Sequence, residues 1–143
     1  MKILRISLLI SLALTASAWA QGAAPLSKAE RIALCEKKID VPFDPADPPP
    51  LHVGLHGKKG EPTRPVLLRN VRPGGFASHP SGTLILEVVI DEDGCVRQPK
   101  VLKGEDAGMV DVGLKTIRKW VFAPATLDGK PVRVSYVLTI NSM

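Results

Sequence analysis

Two cysteines, Cys35 and Cys95, are the first residues in this chain whose chemistry could matter, and they are its only cysteines. In an exported chain an even number favours a disulfide, and two cysteines allow one intramolecular pairing, with free thiols or an intermolecular bridge as the alternatives. A closed loop of this length would contribute on the order of 4 kcal/mol. The spacing builds neither a zinc site nor a Cys-x-x-Cys redox motif. His52 and His56 have the four-residue spacing that binds metal on a helix, but Gly54 and Gly57 argue against a helix and no third ligand stands nearby. The expectation is a solvated loop, with no metal and no cofactor. Ser78, His79 and Asp106 do not make a triad, because adjacent side chains point apart and no nucleophile elbow surrounds Ser78. Asp91, Glu92 and Asp93 crowd three carboxylates into one turn, which suits a solvated loop better than an acid and base pair. Gly74-Gly75 lacks the lysine and the helix of a phosphate loop. No catalytic residue is expected, and the chain is read as a non-enzyme.

The elements around these residues begin with a segment built for export. Lys2 and Arg5 precede an apolar and small-residue run from Ile6 to Ala20, and Ala18-Trp19-Ala20 fits a cleavage site. A run of about 15 residues is shorter than the roughly 20 of a spanning helix. Residues 1–20 therefore read as a signal peptide and the mature chain as periplasmic. Without them, 17 basic side chains face 14 acidic ones, and the net charge of +5 falls to about +3. That charge is too weak and too scattered for nucleic acid, and no aromatic platform accompanies it. Residues 21–64 read as a short helix and a proline- and glycine-rich linker. Ser27 and Glu30 form a capping box, a helix is expected over residues 28–38, and the prolines from Pro42 to Pro50 favour an extended linker.

Residues 65–143 carry the sharpest pattern. Leu84, Leu86, Val88 and Ile90 alternate with Thr83, Ile85, Glu87, Val89 and Asp91, which predicts a strand. A turn through Asp93-Gly94 leads to a second strand from Val96 to Leu102, where Pro99 demands an edge or a bulge. Asp106 caps a helix whose stripe is Val110, Leu114, Ile117 and Val121, with Pro124 as its stop. After Asp128-Gly129, Val132, Val134, Tyr136, Leu138 and Ile140 alternate as a final strand. The chain rules then give an α+β fold: a three-stranded antiparallel sheet in the order 2-1-3, packed against one helix. One edge is the last strand, whose outer backbone groups the domain leaves unpaired.

From Pro65 to Asn141 the chain resembles the C-terminal domain of TonB, the periplasmic energy transducer that engages outer-membrane receptors. The resemblance rests on Gly82 and the alternating strand to Asp91, on Asp93-Gly94-x-Val96, and on Gly129-x-Pro131-Val132. Its strongest piece is Arg118-Lys119-Trp120-x-Phe122-x-Pro124-Ala125, in which Trp120 and Phe122 are expected to pack as core. The resemblance implies that a short receptor peptide pairs with the edge of the final strand, through the backbone of Arg133, Ser135, Val137 and Thr139. The expected function is therefore a periplasmic TonB-like domain that binds an extended peptide of an outer-membrane receptor or another envelope protein, in transmembrane transport.

Two alternatives stand beside it. One is a transducer anchored in the inner membrane by an uncleaved N-terminal helix. Against that reading, the first segment offers only Ser7, Ser11 and Thr15 as polar residues, and residues 21–64 reach about 140 Å even fully extended. The other is an assembly protein that forms a homodimer through the same edge. The linker could also fold across that edge and cover it.

Overall fold

The computed structural model describes residues 24–54, 58–72, 74 and 82–142. The signal segment, His56, Ser78, His79 and Gly75 lie outside the described residues. In chain order the elements are α1 (Lys28–Lys38), β1 (Leu51–His52), β2 (Val66–Arg69), β3 (Gly82–Ile90), β4 (Val96–Lys103), α2 (Ala107–Ile117), β5 (Val121–Ala123), β6 (Ala125–Leu127), β7 (Lys130–Val132) and β8 (Val134–Ser142).

Both helices start where their polar residues satisfy orphan amides. Ser27 Oγ accepts from Glu30 N at 3.3 Å, and Glu30 Oε2 accepts from Ser27 N at 2.8 Å, closing the capping box of α1. Asp106 Oδ1 accepts from Met109 N at 2.7 Å and opens α2. Leu84, Leu86, Val88 and Ile90 on β3 are buried with Met109 and Ile117 of α2, Phe122, Ala125, Val134 and Ile140. That single face of the sheet against one helix is the core, and the period-two alternation of β3 is what commits these side chains to it.

The main sheet is four-stranded, in the order β1-β8-β3-β4. The expected three-stranded antiparallel sheet is corrected by one strand: β8, β3 and β4 neighbour one another antiparallel, and β1 adds to β8 in parallel. Leu51 pairs with Val134 and His52 with Ser135. Hydrophobic periodicity could not announce a strand of two exposed residues, because neither side chain is buried.

Two further boundaries differ from expectation. The α2 stripe stops at Ile117, and Val121 leaves the helix to form β5, antiparallel to β2. Val121 and Phe122 are buried there, at 1% and 2% exposure, and Phe122 N donates to Gly94 O at 2.9 Å. Tertiary burial and a backbone partner outweigh the helical spacing. The final strand breaks at Arg133, so Val132 belongs to the β6–β7 hairpin and β8 begins at Val134. Trp120 packs against the core, and its Nε1 donates to Val71 O at 2.9 Å.

On β4, Gln98 takes a positive φ of 43° and the register with β3 shifts between Glu87 and Val89. Pro99 thus sits on an edge strand and at a bulge, where the missing amide is harmless.

The segment before β2 lies against the domain. Cys35 and Cys95 form a disulfide with a Cα–Cα distance of 5.1 Å, tying α1 to the β3–β4 turn. Lys38 donates to Asp93 and lies 3.7 Å from Asp91. Partial burial lowers the pKa of this ammonium, but the Asp93 hydrogen bond and the charges of Asp91 and Asp93 outweigh burial and hold it above its ordinary 10.5. A raised folded-state pKa means stability fully present below the unfolded lysine value and lost as pH climbs through the raised one. The melting-temperature gap between the parent chain and Lys38→Met is therefore expected to stay constant across neutral pH and to shrink above about 10.5. A gap that shrinks between pH 6 and 9 would refute this.

Candidate functional site

The site is built from β8 outward. Leu51 N donates to Arg133 O at 2.9 Å, so the backbone of Arg133 faces the β1 side. Backbone direction alternates along a strand, so Ser135, Val137, Thr139 and Asn141 turn their N–H and C=O groups the same way. β1 pairs only as far as Ser135. Beyond it, among the described residues, no strand pairs with the outward groups of Val137, Thr139 and Asn141.

The four residues expected on the docking edge thus divide into two pairs. Val137, 55% exposed, and Thr139, also exposed, lie on the open part. Ser135 lies opposite His52, and its Oγ donates to Glu87 Oε1 at 2.9 Å. Arg133 is corrected: it stands at the break before β8, its carbonyl is taken by Leu51, and its side chain is only 9% exposed. Its guanidinium pairs with Asp47 at 3.2 Å and Glu92 at 3.3 Å, donates to Pro48 O at 3.3 Å, and lies 4.2 Å from the centre of the Phe43 ring. Arg97 approaches the same ring at 5.8 Å. These contacts join residues distant in sequence, and no local pattern at Arg133 signals them. Asn141 joins the open edge, and its Oδ1 accepts from Thr83 Oγ1 at 3.2 Å.

The acidic turn has structural partners for each carboxylate. Asp91 Oδ1 accepts from Asp93 N at 3.1 Å and Cys95 N at 2.9 Å, holding the hairpin turn. Glu92 pairs with Arg133, and Asp93 with Lys38. His52 sits in β1, and among the described residues no group of His, Cys, Asp and Glu is placed to hold a metal ion. Among those residues no helix is long and apolar enough to cross a membrane.

The opposite sheet edge is less open. Its strand β4 carries Pro99, the bulge at Gln98, and Lys100 and Lys103. Proline, bulges and lysines are the devices that discourage strand addition. Where β1 leaves β8, a cleft of about 330 Å³ is lined by His52, Gly54, Arg64, Ser135, Tyr136 and Val137.

Fold and edge together define the class: a small α+β module with one helix against a mixed sheet whose last strand, among the described residues, is paired on its outer side along only part of its length. Residues 78–141 match the family described as Gram-negative bacterial TonB protein C-terminal, and this part of the chain is a domain of that family. Domains of the family are envelope modules that generally interact with outer-membrane receptors, in a transport-related role. No curated protein is a significant match to the chain.

Proposed function

We propose that this protein acts in the periplasm as a binding module, not a catalyst, and takes up an extended peptide of an outer-membrane receptor or another envelope protein along β8. The observation that carries this reading is the outward backbone of Val137, Thr139 and Asn141, with which no strand among the described residues pairs, next to the well-paired β3 side of the same strand. Main-chain hydrogen bonds supply the affinity in strand addition, so the edge needs no particular side chain. The blunted β4 edge directs a partner to β8.

Thr139→Pro tests it. The Thr139 amide faces away from β3, so the substitution removes an outward donor without taking a bond from the β3–β8 ladder. Titrated with synthetic peptides from the periplasmic segments of outer-membrane receptors, the variant is expected to bind at least about tenfold more weakly while keeping its far-ultraviolet dichroism. Undiminished binding would refute docking at this edge. Sedimentation of the same variant separates peptide docking from pairing of two copies, which the substitution would also weaken.

A further inference from the structure

The chain that leads to β1 is fastened along its whole course. The disulfide holds α1, Arg97 donates to Val41 O at 2.6 Å and to Pro42 O at 3.3 Å, and Phe43 lies against both Arg97 and Arg133. Asp47 and Pro48 then bind the Arg133 guanidinium immediately before Leu51 enters the sheet. After His52, Val53 packs against the main core. Pulling β1 off with its approach would strip the largely buried Arg133 of Asp47, Pro48 and Phe43 and leave it with Glu92. A buried cation that loses a partner is strongly destabilising, whereas a docking strand would gain only the outward groups of Arg133 and Ser135.

We infer that β1 is a fixed end stop that sets the footprint of the partner. It closes the first part of the β8 edge, so the site accepts an extended segment of about five residues along Val137–Asn141, and the partner must leave the sheet at Ser135, over the cleft beside His52 and Arg64. This rests on strand addition at β8 as proposed above. The partner it fits is a short extended stretch bounded by a turn or a flexible chain, since a longer straight strand would run into Leu51 and His52.

The test uses end-capped peptides of alternating threonine and valine, five and nine residues long, titrated into the isotope-labelled protein and followed by amide shifts and hydrogen exchange. Both lengths are expected to bind within about threefold of each other and to perturb Val137, Thr139 and Asn141, while the Leu51 amide stays protected. Leu51→Pro removes the donor to Arg133 O and follows three prolines on an exposed strand, so it loosens the β1–β8 pairing itself while Asp47, Pro48 and Phe43 still hold Arg133 and the fold. In that variant the nine-residue peptide is expected to gain at least about tenfold over the five-residue one and to shift Ser135. The inference is overturned if the nine-residue peptide exposes the Leu51 amide in the parent chain, or if Leu51→Pro leaves the two lengths equal. If neither peptide perturbs Val137, Thr139 and Asn141, strand docking itself fails, and the end stop with it.

Discussion

Replacing Cys35 and Cys95 together by serine is expected to destabilise the protein by about 4 kcal/mol and to lower its melting temperature by about 15 °C. The bridge closes a loop of 60 residues, and the entropy removed from the unfolded chain grows with the logarithm of that length. Both residues are buried, at 4% and 2% exposure, and they form a small apolar cluster with Val121 and Ile32. The hydroxyls of serine would enter that cluster without designed partners, which adds to the loss. Calorimetry of the double variant against the oxidised parent measures the effect. A difference under about 1 kcal/mol would mean that the ion pairs and Phe43 hold α1 on the hairpin without help from the bridge. The loosening should be greatest in α1 and the approach to β1, and hydrogen exchange can locate it there.

Gly94→Ala is expected to cost about 2–4 kcal/mol, for two reasons that add. Gly94 has φ +89°, a region that side chains adopt only with strain. A Cβ on it would also lie 1.8 Å from Phe122 O and 2.8 Å from Phe122 C, both backbone atoms that cannot swing aside. Gly94 O meanwhile accepts from Phe122 N at 2.9 Å, so the turn and β5 cannot part without losing that bond. Gly129→Ala is the internal control: its φ is +79° but, among the described residues other than its two chain neighbours, no atom lies within 4 Å of the added carbon, so it should cost only about 1 kcal/mol. Equal losses in urea unfolding of the two variants would show that backbone conformation alone matters and that the close approach of β5 to the turn does not.

These two positions show how unevenly the fold was legible. Asp93-Gly94 reads as a turn because glycine tolerates positive φ, which is a local property. That the same glycine must also admit the backbone of Phe122 depends on where a distant segment returns. The helix over residues 28–38 was legible because its capping box is local, and so was β3, because a strand half buried on one side writes its burial as alternation. Val121 was misplaced because its spacing continues the α2 stripe, while its actual partners are Arg69 on β2 and the bridge to Cys95. The outer edge of β8 was half legible: alternation set which residues of β8 face outward, but nothing near Arg133 or Ser135 in sequence tells that Leu51 and His52 cover them.

By itself, then, the sequence determined the local features of this protein: its caps, its turns, the buried face of β3, and the need of Pro99 for an edge or a bulge; for the two cysteines it allowed one intramolecular pairing, which the structure shows formed. The Trp120-x-Phe122-x-Pro124 group and its companions also carried the family. Only the tertiary structure decided how much of β8 stays open. That outcome depends on Phe43, Asp47 and Pro48 meeting Arg133, and on a two-residue parallel pairing that buries neither side chain. Contacts between residues far apart in the chain leave no periodic trace in either partner, whereas burial repeated along one element does.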